Sequence, residues 1–105
     1  MPYILFLDDE RTTDMVNQAK WPQLSVVTAR STAEAIETVR AHGFPTFCSF
    51  DHDLGGADTT MEFLKWLAYE GDCPAPPPYV VHSQNPVGTK NIIAFMDSWE
   101  RSLDL

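Results

Sequence analysis

The chain has 105 residues, of which 44% are hydrophobic and 21% are charged, and its formal net charge is −8. This length suits one domain with one core, and the acidic balance offers no basic surface for duplex DNA, although a local pocket for a nucleotide-sized ligand is still possible. No apolar stretch approaches the length of a membrane span and no signal-peptide pattern precedes the first apolar run, so we expect a soluble cytoplasmic protein.

Four apolar segments predict β-strands, and the first of them is continuously apolar, as expected for a strand that is covered on both faces. They are residues 3–7 (YILFL), 24–29 (LSVVTA), 46–50 (TFCSF) and 79–83 (YVVHS). Cys48 lies within the third segment and is expected to be a buried free thiol, and its separation from Cys73 does not match a zinc site. The proline-rich residues 71–78 cannot continue a helix or join a central strand, so we expect a stiff loop away from any site.

Helical patterns lie between these strands. Residues 13–20 form the weakest of them because few of their side chains are apolar. Ser31 to Glu34 and Thr59 to Glu62 each match a capping box, which predicts the starts of two further helices. Other side chains are expected to face the core at helical spacing: Ile36, Val39, Phe63, Leu64, Leu67, Ile92, Phe95, Met96, Trp99 and Leu103. Strand–helix alternation of this kind predicts a parallel sheet with right-handed crossovers.

Polar side chains follow three of the predicted strands, at the sheet edge where ligands bind in open parallel sheets. The clusters are Asp8, Asp9 and Glu10, then Asp51, His52 and Asp53, then His82, Ser83, Gln84 and Asn85. One acidic residue after a strand is most often a turn former or a helix cap, which is also how we interpret Asp58. Five carboxylates at one edge are costly without compensation, so the joint pattern predicts a functional site.

The chemistry of these side chains suggests two kinds of contact. Mg²⁺ or Mn²⁺ bound by Asp8, Asp9 and Asp51 would compensate the carboxylates, and Arg11 would offset one charge. His52 and His82 are candidates for general acid and base, with Asp51 or Asp53 orienting a ring, although strand alternation could turn either imidazole away from the carboxylates.

Phosphate recognition is expected in the segment after the fourth strand. Ser83, Gln84 and Asn85 offer neutral donors, and Gly88, Thr89 and Lys90 would open a helix whose free N–H groups hold an anion. A polar helix start without a ligand is the alternative, because Gly and Thr are common at helix caps.

Three motifs, LFLDDER, SFDHDLGG and VVHSQNPVGTKNI, together resemble the cyclic-phosphate processing receiver-like family, an offshoot of the response-regulator receiver fold. The resemblance implies a flavodoxin-like three-layer fold with a four-stranded parallel sheet of order 2-1-3-4 and helices on both faces. It places Asp8 and Asp9 at the acidic pair that holds Mg²⁺, Asp51 at the phosphoacceptor and Ser83 at the switch hydroxyl. His52 and His82 match the histidines that the offshoot adds. The fifth strand with its lysine, and the fifth helix, are missing.

These expectations favour a phosphodiesterase that opens a cyclic phosphate on a nucleotide or an RNA end. A non-catalytic binder that sequesters a nucleotide or occupies a protein partner is the alternative. A degenerate phosphoacceptor domain, labelled at Asp51, is the third hypothesis. Hydrolysis by two histidines would give a bell-shaped pH profile, and His42, near a helix end, is expected to take no part.

Overall fold

A computed structural model describes residues 2–10 and 24–103 of the chain. The predicted helix at residues 13–20 lies outside these residues, and so does Arg11, which we expect to offset one carboxylate charge and to contact the substrate. The strands are β1 (Tyr3–Leu7), β2 (Ser25–Ala29), β3 (Phe47–Phe50) and β4 (Tyr79–Val81). The helices are α1 (Thr32–His42), α2 (Thr60–Lys65) and α3 (Pro86–Ser102), and α2 continues into a π-helical segment, Trp66–Glu70.

All strand pairs are parallel, and the order β2-β1-β3-β4 confirms the predicted sheet. The central strand β1 is fully buried along its length, as its continuous apolar sequence predicts. Its register places Phe6 opposite Ser49 and Leu7 opposite Phe50. Because all four strands run in the same direction, their carboxyl ends lie at one edge of the sheet, where the loops after β1, β3 and β4 carry the acidic and histidine residues.

The main core lies between one face of the sheet and the three helices. Leu5 and Leu7 of β1 and Phe50 of β3 point to this face and pack with side chains of α1, α2 and α3. The predicted inward residues Phe63, Leu64, Leu67, Ile92 and Met96 are all buried, whereas Leu103 is 48% exposed and does not belong to the core. Ile4 and Phe6 point to the opposite face and are also fully buried.

The helix starts agree with the sequence only in part. The Ser31 side chain accepts a hydrogen bond from Glu34 N–H, so the first predicted capping box is formed at its N-cap. Thr59 is the N-cap of α2, so the second predicted helix start is confirmed, but its side chain makes no capping bond. The π-helical segment ends where Gly71 N–H bonds to the Trp66 carbonyl at 2.7 Å, a wider turn than the apolar spacing predicts.

Two further expectations concern the cysteines and the membrane. Cys48 and Cys73 are both free and buried, as predicted for Cys48, and burial raises the pKa of each thiol. Within residues 2–10 and 24–103, no helix has the length and apolarity that a membrane crossing requires.

Candidate functional site

Three carboxylates meet at the carboxyl ends of β1 and β3. Asp8 and Asp9 follow β1, and Asp51 follows β3, held there by a hydrogen bond from Asp51 N–H to the Leu7 carbonyl. One side-chain oxygen of each of the three aspartates lies within 4.8 Å of the others. Mg²⁺ and Mn²⁺ are bound in proteins by oxygen ligands of this kind, so the residues fit a divalent cation.

Asp8 is the buried member of this cluster, and its orientation is fixed from two sides. Its Oδ1 accepts from Glu10 N–H at 2.8 Å, and its Oδ2 lies 2.8 Å from Nε2 of His82. The side chain of Asp8 is 1% exposed and that of His82 is 8% exposed. The position of Asp8 therefore depends on an imidazole that water hardly reaches.

His82 is enclosed between polar and aromatic neighbours. Its Nδ1 lies 2.8 Å from Oγ of Ser49, which is buried in β3, and the Phe6 ring meets the imidazole edge to face at 5.0 Å. Because the Asp8 carboxylate only accepts, Nε2–H is the donor on that side, and in a neutral ring Nδ1 accepts from the Ser49 hydroxyl. Both ring nitrogens are thus used inside the protein.

An open cleft of about 590 Å³, which we call the acidic cleft, lies in front of the three aspartates. It is lined by Asp9, Glu10, Asp51, Asp53, Gly55, Gly56, Ser83, Gln84 and Asn85. Four of these nine residues carry carboxylates, and none of the described lining residues is basic. The cleft has the volume of a small-molecule site. Its carboxylates would repel a phosphate unless a bound cation neutralised them.

His52 and Asp53 take different positions in the loop after β3. Asp53 lines the acidic cleft, whereas His52 is 9% exposed and lies behind it. Nδ1 of His52 donates to Oδ1 of Asp53 at 3.0 Å, and the Asn85 side-chain amide donates to Oδ2 of Asp53 at 3.2 Å. These two bonds, that from His52 first, lower the pKa of Asp53.

The start of α3 differs from the predicted phosphate site. The helix begins at Pro86, which has no N–H, and the Asn85 side chain already accepts from Gly88 N–H at 2.9 Å. Thr89 N–H bonds to the Asn85 carbonyl, and Gly88 is buried beneath the His52 ring. Gly88, Thr89 and Lys90 do not line the acidic cleft, so the predicted anion site at this helix start would lie outside the cleft.

The predicted donors just before this helix do reach the acidic cleft. Ser83, Gln84 and Asn85 line it, and β4 ends at Val81, so all three belong to the loop after the strand. Oγ of Ser83 accepts from Asn85 N–H at 3.0 Å, which leaves the hydroxyl hydrogen of Ser83 available to a ligand.

Some residues of this region were not singled out from the sequence. The sequence pattern places Ser49 in a strand, and a hydroxyl within an apolar run is a signal that it has a buried partner. Thr60 is fully buried, and its hydroxyl donates to the Asp51 carbonyl. Asp58 does more than form a turn, because its Oδ2 accepts from Thr32 N–H at 2.9 Å and ties this loop to α1.

The parallel sheet with an acidic cluster at the ends of β1 and β3 defines a receiver-like α/β domain. Residues 3–98 match the sequence model of the cyclic-phosphate processing receiver domain, and the chain belongs to that family, as the three motifs predict. No curated protein matches the chain.

One similar solved structure is described as a fusion with the trimeric coiled coil of yeast Spc42. It shares 18% identity with this chain at a TM-score of 0.64, and the alignment covers 89% of this chain and 62% of that one. At this identity the similarity shows the fold alone.

Proposed function

We propose that the chain binds a cyclic phosphate ester in the acidic cleft and hydrolyses one of its ester bonds with the help of Mg²⁺ or Mn²⁺. The observation that carries the proposal is the convergence of Asp8, Asp9 and Asp51 within 4.8 Å beside a cleft of ligand size. A cation bound there would neutralise the carboxylates and attract the phosphoryl oxygens. The proposed substrate is a cyclic nucleotide or an RNA end that carries a cyclic phosphate.

The chain itself supplies neutral donors for the phosphate. Ser83, Gln84 and Asn85, which carry a hydroxyl and two side-chain amides, line the same cleft as the acidic residues. Such groups can hydrogen-bond phosphoryl oxygens as negative charge develops on them. They add no charge of their own, which suits a ligand whose anion is already balanced by the cation.

Asp53 is the best-placed proton acceptor for the attacking water. It lines the cleft and does not belong to the group of three aspartates that would hold the cation, so its carboxylate oxygens can face a water in the cleft. In the proposed step the water oxygen attacks phosphorus, one ring P–O bond breaks, the water proton passes towards Asp53, and the leaving oxygen takes a proton from solvent in the open cleft. Both imidazoles stay bonded to carboxylates during this step.

A second candidate, a binder without turnover, is favoured by a specific observation. Neither His52 nor His82 lines the acidic cleft, so the acid–base pair expected from the sequence does not face a ligand there. The cleft would then hold a cyclic phosphate, or the acidic group of a protein partner bridged by the cation, without cleaving it. Labelling of Asp51 by a phosphodonor is the remaining hypothesis, and Asp51 does line the cleft.

The deciding experiment uses ³¹P NMR on 2′,3′- and 3′,5′-cyclic nucleotides and on RNA oligonucleotides ending in a 2′,3′-cyclic phosphate. Each is incubated with the protein and Mn²⁺ or with EDTA. We expect a linear monophosphate to form with Mn²⁺ only, and Asp53→Asn to slow it by about 10²-fold or more. Ligand binding without turnover would establish the binder, and labelling by acetyl phosphate that alkali or hydroxylamine removes, seen in wild type but not in Asp51→Asn, would establish the phosphoacceptor.

A further inference from the structure

Four residues join the loops that follow β3 and β4 into one closed unit, which we call the loop clasp: His52, Asp53, Asn85 and Gly88. The His52 imidazole donates to Oδ1 of Asp53, and the Asn85 side-chain amide donates to Oδ2 of Asp53. Gly88 N–H in turn donates to Oδ1 of the Asn85 side chain. The Gly88 backbone then lies against the His52 ring, which closes the cycle.

The last contact explains why residue 88 is a glycine inside a helix. A Cβ at this position would lie 2.3 Å from Cγ, 2.7 Å from Nδ1 and 2.8 Å from Cβ of His52. These atoms are at the base of the histidine side chain, so turning the ring cannot clear all of them. Gly is about 1 kcal/mol less favourable than Ala inside a helix, and here the histidine is the reason for accepting that cost.

The backbone of His52 is fixed as tightly as its ring. Its N–H donates to Oδ1 of Asp51 at 2.8 Å, and its carbonyl accepts from Thr60 N–H at 2.8 Å. A displaced His52 would therefore disturb Asp51 and Asp53 together. Both of these residues line the acidic cleft.

We propose that His52 is a positioning residue that holds Asp53 and Asn85 at the acidic cleft. Gly88 contributes by having no side chain, which leaves room for the His52 ring. The ring bonds Asp53 through Nδ1, packs against α3 and has 11% of its side chain exposed. Its part in catalysis rests on the proposed function, because the cleft residues that it positions are those assigned to the ligand and the water.

The first test is a double-mutant cycle of Gly88 and His52 that is measured by Tm and needs no substrate; we call it the thermal cycle. Gly88→Ala should lower Tm by about 5–15 °C in the wild-type background, since overpacking at a fixed ring is destabilising. In a His52→Ala background the same change should leave Tm unchanged or raise it by up to about 5 °C, because alanine is the better helix former. His52→Ser serves as a second background if the alanine variant does not fold.

An equal loss of Tm from Gly88→Ala in the wild-type and small-residue backgrounds would overturn the clasp. Amide hydrogen exchange gives a local readout of the same contact. Gly88 N–H should exchange faster in His52→Ala than in wild type, and the matched variant His42→Ala, at the far end of α1, should leave it unchanged. Unaltered exchange in His52→Ala would also count against the proposal.

The second test separates positioning from proton transfer. Asparagine places an amide N–H close to the position of the imidazole Nδ1 but cannot act as an acid or base near neutral pH. If cyclic-phosphate hydrolysis is observed, His52→Asn should keep turnover within about 10-fold of wild type while His52→Ala loses about 10²-fold or more. Equal losses of about 10²–10⁴ in both variants would identify His52 as a proton-transfer group instead.

The two proposals fail in distinguishable ways. Absence of turnover by the wild-type protein would reject the proposed hydrolysis, while the thermal cycle and the exchange of Gly88 N–H would still decide the clasp. If turnover is observed but Gly88→Ala changes Tm equally in the wild-type and His52→Ala backgrounds, the proposed hydrolysis stands and the loop clasp is rejected.

Discussion

Removal of the His82 ring should reveal how strongly this imidazole holds the buried acid of the cluster. In wild type, Nε2 bonds Oδ2 of Asp8 at 2.8 Å and Nδ1 bonds Oγ of Ser49 at 2.8 Å. In His82→Ala the Asp8 carboxylate, which is 1% exposed, loses its hydrogen-bond donor, and the buried Ser49 hydroxyl loses its acceptor. It also removes the edge contact with Phe6.

The size of the effect follows from these three contacts. A hydrogen bond to a charged group contributes about 1.5–3 kcal/mol and a neutral one about 1 kcal/mol. The aromatic contact adds about 0.5–1.5 kcal/mol. Since these contributions overlap, we expect His82→Ala to lower the free energy of unfolding by about 3–4 kcal/mol, a large share of the stability of a small domain.

Two amide variants divide this loss between the nitrogen atoms. Glutamine carries an N–H near the position of Nε2, so His82→Gln should restore the bond to Asp8 and recover about 1.5–2 kcal/mol. Asparagine places its amide near Nδ1, so His82→Asn should restore only the contact with Ser49 and recover about 1 kcal/mol or less.

Urea unfolding at pH 7 in EDTA measures all three variants, with fluorescence and circular dichroism as separate probes of one transition. His42→Ala is the matched control, because His42 is an exposed histidine at the end of α1. If His82→Gln is as unstable as His82→Ala, or less stable than His82→Asn, then the bond to Asp8 is not the main contribution of this ring and the reasoning is refuted.

Three further predictions concern the cluster, the core and the control. Millimolar Mg²⁺ or Mn²⁺ should raise Tm of wild type by several degrees and that of Asp9→Asn much less, and a wild-type Tm that does not respond would contradict the cation site. Burial raises the pKa of Tyr3 from 10.0 to about 12, so the stability from its neutral phenol is complete below pH 10 and lost as pH rises towards 12. The thiols of Cys48 and Cys73 also have raised pKa values, so urea unfolding should show a smaller alkaline loss in Tyr3→Phe than in wild type, and equal losses would contradict this role of Tyr3. His42→Ala should leave cyclic-phosphate hydrolysis unchanged in the ³¹P assay, and a loss of rate would place His42 in the site.

Much of the sheet could be predicted from sequence because burial on both faces leaves a simple signal. β1 reads as five consecutive apolar residues, and all five are buried. The alternation of strands and helices then restricts the topology to parallel pairing with the acidic residues at one edge. This reasoning brings Asp8, Asp9 and Asp51 together without any knowledge of side-chain geometry.

The helix details could not be predicted because several local patterns satisfy the same spacing. Phe63, Leu64 and Leu67 are buried whether the following turn is α-helical or π-helical, so the bond from Gly71 N–H to the Trp66 carbonyl leaves no sequence signal. A glycine near the start of α3 is compatible with an anion-binding helix start or with a close neighbouring side chain. Only the position of the His52 side chain distinguishes these two interpretations.

The orientation of the two histidines follows from the two-residue period of the strands that carry them. Cys48 and Phe50 face the helices, and His52, two residues further on, lies on the same side against Gly88 of α3. Val81 also faces the helices, so His82 points to the opposite side, where it meets Phe6 and Ser49.

The imidazoles therefore lie on opposite faces of the sheet, and the carboxylates lie between them. One ring bonds Asp53, which lines the acidic cleft, and the other bonds Asp8, a member of the cluster beside the cleft. A general acid and a general base must each come within hydrogen-bond reach of the ligand, which would require both rings to leave these partners. If they stay, the amide variants His52→Asn and His82→Gln will preserve turnover that the alanine variants lose, because a fixed donor is all that each carboxylate needs.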